Sequence, residues 1–151
     1  MEGRCLCGTV GFEFQGPATP IELCLCTKCQ RAYGCAFAAT FYVRIADFRW
    51  LRGQDMIAVY DAPVREKPPP YRHSFCRSCG SPLPIVRDDT PSVEVPAGLV
   101  QGDFGSRPTY QQWARQAAPW WSAYVRLPSY DEAPPAHLRV CMMLRQEGSA
   151  G

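Results

Sequence analysis

Residues 24–29 read Cys24-Leu25-Cys26-Thr27-Lys28-Cys29, so that three cysteines fall within six positions. Two further clusters lie on either side of this one along the chain: Cys5-Leu6-Cys7-Gly8 and Cys76-Arg77-Ser78-Cys79-Gly80. A CxxC turn places two sulfur atoms on the same side of the backbone, and a following glycine lets the backbone approach a metal closely. The clusters therefore predict metal sites assembled from half-sites that are distant in sequence.

The seven clustered cysteines divide into four and three. Four thiolates around one ion are typical of a closed structural zinc site, whereas three protein ligands leave one position for water or substrate, as in catalytic zinc sites. Spacing alone does not decide which half-sites pair, because a plain zinc ribbon would join Cys26 and Cys29 to Cys76 and Cys79. A purely structural role for all seven cysteines is the other interpretation.

Composition limits the class of protein. The chain has 151 residues, 46% of them hydrophobic and 20% charged, which suits one globular domain with its own core. The formal charge is only +2 and there is no basic run, so we expect no binding to nucleic acid.

The start of the chain lacks an apolar signal segment, and no stretch approaches the roughly 18 apolar residues of a membrane span. We therefore expect a cytoplasmic protein that does not enter a membrane. In a reducing compartment, nine cysteines predict metal binding rather than a disulfide framework.

The sequence predicts a mostly β fold of short strands with irregular connections, because fifteen prolines and brief alternating segments leave little room for helices. Short helices are predicted only over 27–32 and 110–118, the second being either a helix or a loop lined by aromatic residues. The segments 48–51 and 56–60 are expected to form a hairpin. The predicted strands are 10–14, 37–43, 48–51, 56–60, 71–75, 83–86 and 93–95.

Three residues outside the clusters carry weaker signals. Cys35 and Cys141 stand alone and are expected to be small apolar side chains in or near the core. His73 lies three residues before Cys76, and it is either an accessory metal ligand or simply a surface residue of a strand.

The three clusters, in this order, resemble those of the glutathione-dependent formaldehyde-activating enzyme family, which includes the centromere protein V-like proteins. The resemblance covers residues from about 3 to 130. It implies a β-rich fold of the Mss4-like type, within a zinc-binding domain over residues 1–133 that is followed by a C-terminal tail over 134–151. The segments that carry it are 3–10 (GRCLCGTV), 24–31 (CLCTKCQR) with Gly34, 74–83 (SFCRSCGSPL) and, more weakly, 87–89 (RDD) and 118–120 (APW).

The resemblance also implies two zinc ions per chain, one structural and one catalytic. The second site is expected to bind glutathione or another thiol. The family often has histidine in the middle of the second cluster, where this chain has Leu25. The implied ligands are Cys5, Cys7, Cys76 and Cys79 for the structural ion, and Cys24, Cys26 and Cys29 for the catalytic ion.

The function implied by the resemblance is that of a carbon–sulfur lyase. Such an enzyme forms or cleaves an S-hydroxymethyl adduct between a thiol and a small aldehyde such as formaldehyde. Lys28 and Arg31, inside and just after the second cluster, are the candidate residues for binding the carboxylates of a tripeptide thiol. The alternative is a non-catalytic module, stabilised by zinc, that binds a thiol or a partner protein.

Overall fold

The structure, a computed structural model, describes residues 1–63, 70–121 and 131. Met1–Trp121 form one compact unit. The predicted boundary between a domain over 1–133 and a tail over 134–151 lies outside the described residues, as does Cys141. The elements are β1 (Glu2–Arg4), β2 (Gly11–Phe14), β3 (Ile21–Cys24), α1 (Thr27–Tyr33), β4 (Ala38–Arg44), β5 (Phe48–Arg52), β6 (Ile57–Asp61), β7 (Arg72–Cys76), β8 (Ser92–Pro96) and β9 (Pro108–Gln112).

These short strands form three sheets within the described residues, which confirms the predicted mostly β class. The first sheet has the order β1-β2-β5, the second β8-β4-β3-β9, and the third is the pair β6-β7. Every pairing is antiparallel except that of β3 with β9, which is parallel. Among residues 1–63 and 70–121, no helix is long and apolar enough to cross a bilayer.

The main core lies between the first sheet and one face of the second. Side chains alternate between the two faces of a strand, so Phe41 and Val43 of β4 point to this core while Thr40 and Tyr42 point away. The rings of Phe14 and Phe41 lie 5.4 Å apart. Burying such side chains contributes roughly 1.5–3 kcal/mol each, so this face stabilises the fold. The buried core residues are Phe12, Phe14, Ile21, Phe41, Val43, Val93 and Val95.

Most of the predicted strands are confirmed, with shifts of one or two residues at their ends. The segments 10–14, 37–43, 71–75 and 93–95 correspond to β2, β4, β7 and β8. The helix predicted over 27–32 is α1, which ends at Gly34 in the left-handed conformation. Strand β3 was not predicted, because Ile21-Glu22-Leu23-Cys24 is too short to show a clear alternation.

The predicted hairpin is wrong in its pairing, although both of its strands exist. β5 pairs with β2, and β6 pairs with β7. Gly53 has φ +69° and is followed by a 3₁₀ turn over Gln54–Met56, which carries the chain from the first sheet to the third instead of folding it back.

Three local predictions are also wrong. Of the segment 110–118, the helix alternative is wrong, since residues 110–112 belong to β9 and pair with β3, and the loop that follows has only a short 3₁₀ turn over Ala114–Gln116. The segment 83–86 makes an isolated bridge through Ile85 but no strand, because the flanking Pro82 and Pro84 have no N–H to donate. Cys35 is exposed and not in the core, because it lies in the turn after Gly34.

The turn at Gly53 provides a test of this connection. A Cβ at position 53 would collide with the carbonyl oxygen of Thr9, whereas a Cβ at Gly102, also left-handed, would meet nothing within 4 Å. We expect Gly102→Ala to cost roughly 1–2 kcal/mol from backbone conformation alone. Gly53→Ala should cost roughly 1–3 kcal/mol more, because the backbone has to move. Urea unfolding at a fixed zinc concentration measures both, and equal losses would contradict the packing described.

Candidate functional site

The first and third cysteine clusters form two knuckles, each a tight turn that ends at a glycine. The N–H of Gly8 donates to the carbonyl oxygen of Cys5 at 3.0 Å, and the N–H of Gly80 donates to that of Cys76 at 2.8 Å. Both glycines have positive φ, +79° and +73°, which other residues rarely adopt. Each knuckle therefore holds its two cysteines close together, and the first turn is one residue shorter than the second.

The two knuckles meet, so that four sulfur atoms lie within 4.8 Å of one another. The sulfur of Cys7 lies 3.5 Å from that of Cys5 and 3.9 Å from that of Cys76. Sulfur ligands about 2.3 Å from a tetrahedral zinc ion are roughly 3.8 Å apart, so this donor set fits a zinc ion. The first cluster pairs with the third, which contradicts a zinc ribbon that joins Cys26 to Cys79.

The second cluster is built where β3 passes into α1. Cys24 ends the strand, Cys26 caps the helix through a bond from the N–H of Cys29 to its sulfur (3.3 Å), and Cys29 lies in the first turn. The sulfur atoms of Cys29 and Cys24 are 3.4 Å apart, and all three lie within 4.8 Å of one another. Among the described residues, no other cysteine, histidine or carboxylate joins this group.

Ionisation of these three thiols is strongly linked. Hydrogen bonds from Cys24 and Cys29 lower the pKa of Cys26 to about 2, while the contact with Cys26 and burial raise the pKa of Cys24 to about 11. Contacts with Cys24 and Cys26, together with burial, also raise the pKa of Cys29. Only one of the three sulfurs therefore loses its proton readily by itself. A divalent cation would stabilise all three as thiolates, so the chemistry of this donor set also fits a metal.

A cavity of about 390 Å³ opens beside this second cluster. Its walls combine the three cysteines with two carboxyl groups, one lysine and several neutral donors, on the face of the second sheet that points away from the core. The lining residues are Glu22, Cys24, Cys26, Thr27, Lys28, Cys29, Tyr42, Tyr71, Glu94, Gln112, Trp113 and Gln116.

Glu22 is a buried carboxylate held by neutral donors. It accepts hydrogen bonds from the Tyr110 hydroxyl at 2.6 Å and from the Gln112 amide at 2.9 Å. The hydroxyls of Tyr42 and Thr40 donate to it at 3.4 and 3.5 Å. These bonds fix its position in the wall of the cavity. They also explain why a polar side chain can be buried with only 9% of the residue surface exposed.

Glu94 is the second carboxyl group of the cavity. It lies on β8 opposite Tyr42 of β4, and it also lines an adjoining cavity of about 290 Å³. Burial raises the pKa of Glu94 to about 7, and the nearby charge of Glu22 adds to this effect. This side chain can therefore gain or lose a proton near neutral pH.

The structure separates the two predicted basic residues. Lys28 lines the cavity beside the cysteines. Arg31, one helical turn later, lines a neighbouring cavity of about 470 Å³ that it shares with Lys28, Tyr60 and His73. Neither Lys28 nor Arg31 forms an ion pair within the described part of the chain.

Leu25 and His73 do not join either group of sulfur atoms. Leu25 is almost fully buried and is not part of the cavity wall, so this position contributes no side chain to it. His73 packs against the rings of Phe75 and Tyr33, with ring centroids 5.6 and 5.8 Å away. It is a half-buried strand residue and no ligand of the four-cysteine group.

The loop after β9 closes one side of the cavity. The side chain of Gln116 accepts a hydrogen bond from the N–H of Thr27 at 3.1 Å, and the main-chain carbonyl oxygen of Gln116 accepts one from the side chain of Gln30 at 2.8 Å. Trp113 has φ +60°, an unusual conformation for a bulky residue, and its exposed ring lines the cavity. The bonds of Gln116 to α1 anchor the loop that carries Trp113.

Sequence reasoning missed the polar residues of the cavity. Glu22 carried a usable signal, because it lies two positions before Cys24 and a strand places both side chains on one face. Glu94 interrupts the apolar pair Val93 and Val95, which indicates a carboxyl group on the opposite face from the core. The contributions of Gln112 and Gln116 had no local signal, since they depend on the pairing of β9.

Comparison with known proteins identifies related sequences. The sequence model of a family described as glutathione-dependent formaldehyde-activating enzyme matches residues 1–116. The crystal structure of a Rhodobacter sphaeroides protein, solved as a structural genomics target, is 27% identical to this chain, with a TM-score of 0.51. That match covers 72% of this chain and 100% of the other. No curated protein matches the sequence.

The raised pKa of Glu94 has a consequence for stability. Between about 4.5, the ordinary value, and about 7, the folded state binds the proton more tightly, so stability falls as the pH rises through this window. We expect Glu94→Gln to increase the free energy of unfolding by roughly 2–3 kcal/mol at about pH 8. The gain should shrink as the pH falls toward 4.5.

Urea unfolding of matched zinc-loaded samples measures this gain. Glu13→Gln is the control, because Glu13 pairs with Arg49 on the first sheet and away from the cavity, and it should show no increase. A Glu94→Gln protein that is less stable than the wild type at high pH would contradict the assignment.

Proposed function

Because this chain belongs to the glutathione-dependent formaldehyde-activating enzyme family, we propose that it is a zinc-dependent enzyme of the carbon–sulfur lyase type. It forms or cleaves an S-hydroxymethyl adduct between a glutathione-like thiol and a small aldehyde. The observation that carries the proposal is the cavity in which three clustered cysteines share the wall with a lysine and two carboxyl groups.

The two cysteine groups have different roles in this proposal. Cys5, Cys7, Cys76 and Cys79 hold a structural zinc ion, which has a complete set of four thiolate ligands from the protein. Cys24, Cys26 and Cys29 would hold the second zinc ion. This ion would act as a Lewis acid and lower the pKa of a thiol bound beside it.

Lys28 has a specific part in binding the thiol. The three cysteine thiolates and two carboxyl groups make the cavity wall acidic, and Lys28 is the one cationic residue among the described residues that line it. Its ammonium group offsets this charge and binds a carboxylate of the tripeptide. Arg31 extends the same basic edge into the neighbouring cavity and binds a second carboxylate. The cavity volume falls in the range of small-molecule sites, roughly 300–1,000 Å³.

The chemistry proposed is a reversible addition. The sulfur of the thiol attacks the aldehyde carbon, a carbon–sulfur bond forms, and the carbonyl oxygen becomes a hydroxyl group. The reverse reaction breaks the same bond and releases the aldehyde. Tyr42, Tyr71 and Trp113 supply aromatic surface to the wall that faces the reacting atoms.

Metal content tests the assignment of the two sites. We expect two zinc ions per wild-type chain, and about one in Cys24→Ser with the fold retained, since the second group lies at the edge of a cavity. Cys76→Ser should lose the fold as well as the metal, because Cys76 is fully buried where the two knuckles meet.

Elemental analysis with circular dichroism reports both quantities. Cys35→Ser is the control, since Cys35 is exposed and lies outside both groups, and it should keep two zinc ions. One zinc ion in the wild type, or unfolding of Cys24→Ser, would show that the second group is part of the scaffold.

Turnover tests the role of Lys28. We expect wild-type protein to accelerate exchange between formaldehyde and its glutathione adduct, measured by NMR above the buffer rate. Lys28→Ala should raise KM for glutathione about three- to tenfold, or up to about 1.4 kcal/mol, because a charge-assisted contact is lost. The effect should be smaller with mercaptoethanol, which has no carboxylate.

Arg44→Ala is the matched control, because Arg44 pairs with Asp47 outside the cavity and its loss should leave KM unchanged. Equal effects of Lys28→Ala on both thiols would contradict a contact between Lys28 and a carboxylate of glutathione. Glutathione binding by calorimetry with no acceleration at all would instead assign a thiol-binding module.

A further inference from the structure

The carboxyl group of Glu94 lies where two cavities meet. It lines the cavity beside the three-cysteine group, and it also lines the adjoining cavity together with Arg72 and Arg87. Tyr42 and Tyr71 are shared by the same two cavities. Glu94 is thus partly buried within the protein yet accessible from the space that a substrate would fill.

The two carboxyl groups of the cavity differ in their surroundings. Glu22 accepts hydrogen bonds from four side chains, which fix its position. Glu94 forms no ion pair within the described residues, and the nearby hydroxyls of Thr40 and Tyr42 only partly offset the effect of its burial on its pKa. The charge of Glu22 therefore opposes ionisation of Glu94, which leaves Glu94 as the group that changes its protonation state.

The other titratable groups around Glu94 do not replace it. Tyr42 on β4 and Tyr33 on α1 both have raised pKa values, chiefly because of burial, so they remain neutral. Arg87 favours the charged form of Glu94, but its side chain pairs with Asp89. Arg72 on β7 is likewise paired, with Asp61.

We propose that the Glu94 carboxyl group carries the proton that moves between the thiol sulfur and the aldehyde oxygen. This inference rests on the proposed function and assigns its acid–base group. In the forward direction the Glu94 carboxylate accepts the proton of the thiol while sulfur forms a bond to the aldehyde carbon. The electron pair of the carbonyl double bond moves to oxygen, and Glu94 returns the proton to that oxygen.

One thiol and one aldehyde therefore give one S-hydroxymethyl thioether, and Glu94 ends in its starting state. No oxidant or reductant is needed. The same group serves the reverse reaction, where it takes the proton of the hydroxyl group and returns it to sulfur. Its pKa of about 7 suits this role, since a group that donates and accepts near neutral pH loses little in either step.

The test compares pH profiles of wild type, Glu94→Gln and Glu94→Asp, with formaldehyde and glutathione as substrates. The acceptor form is the carboxylate, so wild-type kcat/KM should rise with pH through about 7 and then level off. Glu94→Gln should lower kcat/KM by about 10²- to 10⁴-fold and lose this inflection. Glu94→Asp should keep an inflection at a reduced rate.

Each variant is checked for zinc content and circular dichroism, so that a fall in rate is not due to lost metal or fold. Glu13→Gln, on the first sheet, is the control that should retain both rate and inflection. A Glu94→Gln enzyme that keeps the wild-type inflection, whatever its rate, overturns the assignment, because a structural role would leave the inflection in place.

Failure of the proposed function has a different signature. Wild-type protein that never accelerates the exchange overturns the lyase function and this inference together. An active wild type with an unchanged Glu94→Gln profile overturns this inference alone.

Discussion

The meeting of the two glycine-bounded knuckles is the contact on which the rest of the structure depends. Cys5 and Cys7 follow the first strand of one sheet, while Cys76 ends a strand of the two-stranded sheet. An isolated two-stranded sheet is marginal in water, so it needs an attachment to the remaining structure. Four sulfur atoms at metal-binding distances provide that attachment, with Val10 and Leu83 packed beside them.

The two faces of the four-stranded sheet carry different kinds of side chain, because successive residues of a strand point to opposite faces. One face carries Phe41, Val43, Val93 and Val95 into the core, and the opposite face carries Glu22, Cys24, Tyr42 and Glu94 toward the cavity. A shift of one residue in any strand would exchange the two sets. The buried face therefore fixes the register, and the register in turn aligns the polar groups of the cavity.

Two features of the cavity are costly to the folded state. Glu94 is a carboxyl group held in surroundings that oppose its charge, and Trp113 adopts a backbone conformation that bulky residues avoid. Such costs persist where the surrounding contacts determine the conformation, and they gather at functional sites. Both residues lie on the cavity wall that includes the three-cysteine group.

The sequence by itself determined the cysteine half-sites, the division of their seven sulfurs into four and three, and several strands, because spacing and alternation are local properties of a chain. The tertiary structure decided what these pieces meet. It paired Cys5 and Cys7 with Cys76 and Cys79, sent β5 and β6 to different sheets, and placed β9 beside β3. The register of β8 on β4 likewise placed Glu94 in the cavity wall. Such pairings depend on contacts between residues far apart along the chain, and local sequence does not encode their free energies.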